Sequence, residues 1–586
     1  MKRLLLAFAL FPVVLAGAQQ SPAPSPSPAP AIDPDKKDEG IPVTSDLVKE
    51  KCASCHKADD KGRLTRISYR RTTPEGWEET IKRMVGLNNV KLEPSDARQI
   101  VRYLADRHGL APEEARPAAF EVERRQIDYK YTDRDTERTC AACHSMGRVI
   151  SQRRTKEEWE LLIAMHRGYY PLSDFQAFRR GGPPPRDQQP GPDGRPPDNR
   201  HPMEKAVAHL SGAFPLTTPE WSAWAATMRP PRIEGVWALS GYQLGKGAVF
   251  GKVTIASQGG PDSGDFTTQI SYTIPRTGEQ VARSGRAIVY TGYQWRGRSD
   301  SGGAGTGPSG NGARDASPIR EVMFIDRDWR RMSGRWFTGA YEEFGVDVTL
   351  TRVGADPIVL GVGPTMIKTG AAAQQVRIYG ANLPRTQAAD LNFGPGIKVD
   401  RVVEATPDRL VVEVAVAPDA TPGRRAVFLA GASGEASVAV YDTIDFVKVL
   451  PQAGLARVGG ANFPKQFQQF DAVAFANGPD GKPNTKDDIE LGLVDASWAI
   501  EEYTATYDDD DKDFVGTIDA KTGLFTPNVD GPNPNRRNHT NNYGDVWVVA
   551  TYQPPGASAA KAIKARAHLL VTVPLYIKWD QAEVAR

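Results

Sequence analysis

Cysteine is scarce in this sequence, and its scarcity excludes a fold that is cross-linked by many disulfides. Only four cysteines occur among the 586 residues, whereas disulfide-dependent domains are small and cysteine-dense. All four fall in two short segments, CASCH at Cys52–His56 and CAACH at Cys140–His144. A disulfide within each pair would leave the following histidine unexplained, so the two segments need another chemical role.

Long apolar runs are missing after the first 18 residues. No later segment approaches the roughly 20 consecutive apolar residues of a membrane helix, so we expect no membrane span. Residues 1–18 have a basic start, an apolar run and a small-residue end, which predicts a cleavable signal peptide and an exported protein. Residues 19–40 are rich in proline and serine and predict an extended leader.

A strong charge of one sign is absent as well. The formal net charge is +2 and the basic residues are spread along the chain, so we expect no nucleic-acid partner. The sequence has no dinucleotide fingerprint and no nucleophile elbow, and the glycine-rich segment 299–315 lacks the Lys-Ser or Lys-Thr of a phosphate-binding loop. These absences exclude several common classes of enzyme.

The two CxxCH pentads are typical of covalent attachment of c-type haem. A redox thiol pair or a four-cysteine zinc centre is the alternative for the cysteines alone. Helix starts at Ser45-Asp46 and at Asp133 or Asp135 place the pentads on helices, where positions i, i+3 and i+4 share a face. We therefore predict two covalent haems, with thioether bonds to Cys52, Cys55, Cys140 and Cys143 and with His56 and His144 beneath the irons.

An internal repeat follows the pentads. Residues 71–86 and 153–168 align on Trp77 and Trp159, and each segment predicts a helix that begins after a threonine and stops at a glycine, Gly86 or Gly168. The repeat indicates two cytochrome modules of one pattern.

Met84 and His166 occupy the same position of this repeat. We therefore predict His56 and Met84 as the axial ligands of the first haem iron, and His144 and His166 as those of the second. Thioether sulfur raises the potential of haem iron above that of a bis-imidazole site, which predicts electron flow from the second haem to the first. The rivals as distal ligands are His108, Met146, Met165, His201 and His209.

The pattern of the remaining chain predicts a multidomain protein, an all-α dihaem cytochrome c region followed by three all-β domains. Helical periodicity covers residues 41–231, as modules of about 41–115 and 116–231, with a Pro/Gly-rich insertion at 181–202. Period-two alternation then predicts an antiparallel barrel-like domain at 232–354, an immunoglobulin-like sandwich at 355–442 and a C-terminal β domain at 443–586.

Two acidic segments lie in the last domain. Residues 478–492 place Asp480, Asn484, Asp487 and Asp488 in one loop, and calcium there is the weaker alternative to a solvated turn, because the spacing departs from known calcium loops. The run at 507–513 predicts an exposed acidic loop.

The chain resembles the α subunit of quinohemoprotein amine dehydrogenase in the order of its parts. These are the signal segment, the two CxxCH modules with their Trp-containing repeat, and three all-β domains, the last of which contains NPNRRNHTNNYGDVWVVATY. The resemblance covers nearly the whole mature chain. It implies the thioether cysteines and axial ligands named above, two haem c groups, and a periplasmic heterotrimer with a β-propeller subunit and a small γ subunit that carries cysteine tryptophylquinone.

The resemblance further implies oxidative deamination of primary amines by the complex and electron delivery to a blue copper protein or a cytochrome c. We expect no catalytic residue in this chain, which has no spare cysteine for a cross-linked quinone and would transfer electrons only. The alternatives are a dihaem subunit of a different periplasmic dehydrogenase and a dihaem peroxidase.

Overall fold

A computed structural model describes residues 39–123, 131–173, 200–260, 263–301, 318–338, 344–460, 463–504, 509–556, 558 and 561–574. It consists of an N-terminal helical region followed by β-sheet domains, which confirms the predicted fold class. The predicted signal peptide and most of the leader, of the Pro/Gly-rich insertion and of the glycine-rich segment lie outside the described residues.

The helical region contains short and medium helices and one small sheet. Its helices are α1 Asp46–Cys52, α2 Pro74–Asn88, α3 Pro94–Arg107, α4 Pro112–Ala115, α5 Arg134–Cys140, α6 Gly147–Ile150, α7 Lys156–Tyr169, α8 Pro202–Ala213 and α9 Pro219–Thr227. Its strands are β1 Arg70–Thr72 and β2 Gln152–Arg154.

The repeated helices α2 and α7 begin as predicted but end later. The hydroxyl of Thr73 accepts a hydrogen bond from the Gly76 amide, and Thr155 caps α7 in the same way. The predicted stops at Gly86 and Gly168 were wrong. Helix α2 ends at Asn88 and is capped by Asn89, which has a left-handed φ of 57°, so Gly86 remains inside the helix.

The pentads lie at helix ends, so the prediction that they lie on helices was wrong. Helix α1 ends at Cys52 and α5 ends at Cys140. In the first pentad the Cys52 carbonyl still accepts hydrogen bonds from the amides of Cys55 and His56, at 3.2 and 2.9 Å. A turn therefore keeps those three residues together without a continuing helix.

Strands β1 and β2 join the two modules. They pair antiparallel, with Arg70 opposite Arg154 and Arg71 opposite Arg153. On one face Arg71 donates two hydrogen bonds to the Glu114 carboxylate, at 2.6 and 2.9 Å, and Arg153 donates a third at 3.1 Å. One buried carboxylate thus binds the equivalent arginine of each module.

A closed eight-stranded barrel follows the helical region. Consecutive strands pair antiparallel and β10 closes on β3, so the sheet has no free edge. Its interior is filled by large side chains, among them Trp237, Trp295 and Trp336, all fully buried. The strands are β3 Gly235–Gln243, β4 Gly247–Gln258, β5 Asp265–Ile274, β6 Glu279–Tyr290, β7 Gln294–Asp300, β8 Ile319–Ile325, β9 Arg331–Thr338 and β10 Gly345–Arg352.

The turn between β6 and β7 anchors the barrel to the helical region. The Thr291 hydroxyl donates to the Ala105 carbonyl at 2.9 Å, and its amide donates to the Asp106 carboxylate at 2.6 Å. Beside this turn Arg296 of β7 forms a buried ion pair with Glu75 of α2, at 2.5 Å. These contacts attach the first module to the barrel wall.

The third domain has its own core, built from two main sheets. A four-stranded sheet has the order β11-β13-β16-β15, and a three-stranded sheet has the order β12-β19-β17. The edge strand β15 slips register twice against β16. The strands are β11 Ile358–Gly363, β12 Met366–Lys368, β13 Gln374–Ala381, β14 Leu391–Asn392, β15 Ile397–Ala405, β16 Arg409–Val416, β17 Gly423–Ala426, β18 Phe428–Leu429 and β19 Ser437–Tyr441.

The last domain packs three small sheets around one core. It contacts the barrel where the Tyr242 hydroxyl donates to the buried Asp471 carboxylate at 2.7 Å. A short helix spans Asp511–Phe514. The strands are β20 Phe446–Leu450, β21 Ala453–Arg457, β22 Gln468–Gln469, β23 Asp471–Ala476, β24 Ile489–Leu493, β25 Ser497–Glu502, β26 Gly516–Ile518, β27 Leu524–Pro527, β28 Gly544–Tyr552 and β29 Ile563–Thr572.

Candidate functional site

The histidines of the two pentads each bind a backbone carbonyl through Nδ1. His56 Nδ1 lies 2.8 Å from the Thr65 carbonyl, and His144 Nδ1 lies 3.0 Å from the Ser145 carbonyl. A carbonyl only accepts, so Nδ1 carries the proton and Nε2 keeps its lone pair. Metal-binding histidines commonly show this arrangement, because the outer hydrogen bond fixes the tautomer and the orientation of the ring.

His166 is oriented in the same way. Its Nδ1 lies 2.8 Å from the Leu162 carbonyl, one turn back along α7. The centroids of the His166 and His144 rings lie 6.4 Å apart, with the ring planes tilted by 45°. Since metal–nitrogen bonds to imidazole are about 2 Å long, two rings at this separation can bind one iron.

Met84 lies four residues before the end of α2. Its side chain is half-buried, and its sulfur lies 3.8 Å from the side-chain nitrogen of Asn88. A weak contact of this kind leaves the thioether able to act as a ligand. The assignment of Met84 to the first iron stays a prediction.

The rival ligands have other partners or positions in the described part of the chain. Met165 sulfur accepts from Arg83 at 3.5 Å, Met146 is buried in the core of the second module, and His209 Nε2 bonds the Tyr131 hydroxyl at 2.7 Å. His201 caps α8 through its Nδ1 atom. Each of these four side chains therefore has a contact or a packed position of its own in the helical region.

His108 is the exceptional rival, because it is fully buried and neither ring nitrogen has a hydrogen-bond partner. It packs against Trp77 and Tyr103, with ring centroids 6.1 and 6.3 Å away. Burial, and then the charges of Arg71 and Arg107, lower the pKa of His108 to about 3. It is therefore a neutral core side chain, enclosed on the side of α2 that faces α3.

The four cysteines all lie in the described part of the chain and form no disulfide with one another. Cys55 and Cys143 are exposed, whereas burial raises the pKa of the Cys52 thiol and raises that of Cys140 to about 12. Across the described residues, the pentads bring no three cysteine, histidine or carboxylate ligand atoms within 4.8 Å of one another. The alternative of a four-cysteine zinc centre is therefore wrong, and the thiols remain available for thioether bonds.

A small cavity lies between the helical region and the barrel. Its volume is about 20 Å³, and Glu75, Glu123 and Arg296 contribute to its lining. It connects to the second pentad through Glu121, which accepts a hydrogen bond from the Ser145 hydroxyl at 3.0 Å. The cavity was not predicted from the sequence.

Two of the carboxyl groups that line this cavity, those of Glu75 and Glu123, have opposite pKa shifts. Burial raises the pKa of Glu75, but the charge and hydrogen bond of Arg296 outweigh burial and bring it below its usual value. Burial and the Glu75 charge raise the pKa of Glu123 to about 7, against the opposing charges of Arg296 and Arg320. Glu123 therefore titrates near neutral pH.

We expect Glu123→Gln to remove a decline in stability with rising pH. The folded-state pKa of Glu123 exceeds the value of 4.5 for a free glutamate, so the folded chain holds more protons and stability falls between about pH 4.5 and pH 7. The measurement is the denaturation midpoint of wild type and variant at about pH 5 and pH 8. An equal decline in both proteins would contradict the prediction.

The acidic segments of the last domain hold their own hydrogen bonds. In the loop at 478–492, Thr485 donates to the Asp487 carboxylate at 2.7 Å, and the Asp480 amide donates to the same group at 3.2 Å. Calcium in this loop stays a prediction. The prediction of an exposed acidic loop at 507–513 was wrong for Asp511, which is buried and paired with Arg536, whereas residues 507 and 508 lie outside the described residues.

Four family models match the chain in the order of its domains. Their descriptions are quinohemoprotein amine dehydrogenase α subunit haem binding at residues 43–182, domain II at 230–353, domain III at 356–442 and domain IV at 447–584. The chain belongs to the quinohemoprotein amine dehydrogenase α-subunit family. This confirms the predicted resemblance.

The family match assigns a haem-binding role to the helical region and makes the chain a subunit of an oxidoreductase complex. The haem-binding match includes both pentads, Met84 and His166. Among the described residues, no helix has the length and apolarity needed to cross a membrane.

Other comparisons add no functional information. No curated protein matches the chain. A redesigned β-barrel matches 21% of this chain and 92% of its own, at 11% identity and a TM-score of 0.17. The human desmocollin-1 ectodomain matches 58% of this chain and 74% of its own, at 11% identity and a TM-score of 0.14.

Proposed function

We propose that this α subunit is the dihaem c electron-transfer and scaffold subunit of a periplasmic quinohemoprotein amine dehydrogenase. When bound, the two haems supply one-electron transfer. The cysteines of the pentads hold them by thioether bonds, His56 and Met84 ligate the first iron, and His144 and His166 ligate the second. The signal segment supports export to the periplasm.

The observation that carries the proposal is the placement of His144 and His166. Both rings direct Nδ1 to a carbonyl, and their centroids lie 6.4 Å apart. Two imidazoles oriented in this way would supply the nitrogen ligands of a bis-histidine haem iron.

The proposed route of electrons follows the ligand chemistry of the two sites. Two imidazoles give the second site the lower potential, whereas the Met84 thioether raises that of the first. We place the donor, a cysteine tryptophylquinone in a partner γ subunit, nearer to the second site. The acceptor, a blue copper protein or a cytochrome c, receives electrons from the first.

Covalent haem content tests the two attachment sites. We expect two haems per chain to survive extraction with acid acetone in the pyridine haemochrome assay. The double variant Cys140→Ala/Cys143→Ala should retain one, and the matched variant Cys52→Ala/Cys55→Ala should retain the other. Fewer than two in the wild type would contradict the proposal.

Co-purification tests the complex. A small quinone-bearing chain and a β-propeller chain should accompany the wild-type protein from its native source, with amine-dependent reduction of both haems. Turnover of hydrogen peroxide by the isolated chain, or the presence of a different dehydrogenase partner, would contradict the assignment.

A further inference from the structure

The strand pairing between the two modules places arginines on both faces of a very small sheet. Arg70 lies directly opposite Arg154, so their side chains project from the same face, while Arg71 and Arg153 project from the other. The second pair is neutralised in part by Glu114. The first pair has no such carboxylate between its two members.

Four guanidinium groups gather on that first side, and we call them the arginine face: Arg66, Arg70, Arg83 and Arg154. Two of them contact the Glu158 carboxylate, Arg66 at 2.9 Å and Arg154 at 3.5 Å. The group of four guanidinium groups therefore contacts one carboxylate within the described part of the chain.

Arg70 and Arg83 use uncharged partners. Arg70 donates to the Thr80 hydroxyl at 2.6 Å and to the Gly76 carbonyl at 3.4 Å, and its buried Nε has no partner. Arg83 donates to the Met165 sulfur at 3.5 Å and to the Thr80 hydroxyl at 3.3 Å. Both side chains keep donor capacity that no carboxylate of the described chain uses.

The excess charge is unfavourable without an anion. Burial, followed by the charges of Arg154 and Arg83, lowers the pKa of Arg70 well below its usual value. Burial lowers the pKa of Arg154 to about 9, despite the opposing effect of Glu158. Buried charges are ordinarily paired, and like charges directly opposite in a sheet repel, so the face is suited to bind added negative charge.

The arginine face includes sequence neighbours of both candidate iron sites. Arg66 follows Thr65, whose carbonyl binds His56. Arg83 precedes Met84 in the sequence, and its contact Met165 precedes His166. The face is thus tied to both sites through residues adjacent to their proposed ligands.

We propose that the arginine face binds the propionate carboxylates of both haems. The inference rests on the proposed function, since it requires a porphyrin at each site. Guanidinium groups suit this role because they bind carboxylates through two parallel hydrogen bonds and stay charged when partly buried. The face would then hold the two haems against one shared cluster of positive charge.

The test compares Arg70→Gln and Arg154→Gln with Arg98→Gln, which removes an exposed arginine. Midpoint potentials are measured by spectroelectrochemistry on the purified holoprotein, and carboxylate bands by redox-difference infrared spectroscopy. Loss of a nearby positive charge favours ferric iron, so the ferric-to-ferrous ratio at the wild-type midpoint should rise roughly threefold to tenfold in the first two variants. Arg70→Lys should recover most of this change.

Potentials and carboxylate bands equal to those of Arg98→Gln would overturn the proposal. A saturable shift of the wild-type potentials on addition of inorganic phosphate would also overturn it, because the face would then be open to free anions. The haem content distinguishes a failure of the arginine-face proposal from a failure of the proposed function. Two haems with unchanged potentials contradict only the arginine face, whereas fewer than two haems contradict the proposed function.

Discussion

Glu114→Gln should lower the free energy of unfolding of the helical region by about 3–5 kcal/mol, the usual cost of removing one partner from a buried ion pair. Arg71 is fully buried and the Arg153 side chain is 9% exposed, so both guanidinium groups would lose their shared carboxylate. The measurement is guanidinium denaturation of the holoprotein, followed by the Soret absorbance. Glu113→Gln, an exposed neighbour, is the matched control.

The pH dependence gives a second test of the same group. Burial raises the pKa of Glu114, but the hydrogen bonds and charge of Arg71 outweigh it and leave the pKa below 4.5. The contribution of Glu114 is therefore complete above about pH 4.5 and is lost as pH falls through the depressed value. We expect wild type and Glu114→Gln to converge in acid. A constant difference across this range, or a loss as small as that of Glu113→Gln, would contradict the prediction.

His166→Met should convert the second iron site to the ligand set proposed for the first. We expect loss of the bis-imidazole electron paramagnetic resonance signal, a doubled sulfur-to-iron charge-transfer band and a higher potential at that site. Electron transfer from the second site to the first would lose its driving force, and amine-dependent turnover of the complex should fall by more than tenfold. His209→Gln is the control, since His209 binds Tyr131.

Spectra that keep one bis-imidazole iron in His166→Met would show that another residue ligates the second haem. Haem content must stay at two per chain, because the thioether cysteines are unchanged. A loss of haem would instead place His166 in folding or attachment.

Local patterns in the sequence were sufficient to predict the order of the helical region and the β-sheet domains. The pentads, the repeated helix starts at Thr73 and Thr155, and the alternation of the barrel strands each depend on residues close together in the chain. The family match confirms the haem-binding region that these patterns predicted. The end of helix α2, which is capped by Asn89, was missed because glycine is the more usual residue at the end of a helix and Gly86 lies nearby.

Long-range ion pairs could not be predicted from these local patterns. Glu114 lies 43 residues from Arg71, and Glu75 lies 221 residues from Arg296. Their pairing follows from packing between modules and domains, which periodicity does not encode. Paired arginines beside each repeat, at Arg70-Arg71 and Arg153-Arg154, were the available signal, because two adjacent strand residues of this kind need acidic partners on opposite faces.

The closed barrel and the slipped edge strand β15 restrict how other subunits can attach. A ring of fully paired strands offers no backbone to an incoming strand. The irregular register of β15, together with its charged Lys398, Arg401 and Glu404, opposes strand addition at that edge of the third domain. A partner chain that docks on the barrel wall or along β15 must therefore recognise side chains and loops, so substitutions on those surfaces can change its specificity without disturbing the sheets beneath.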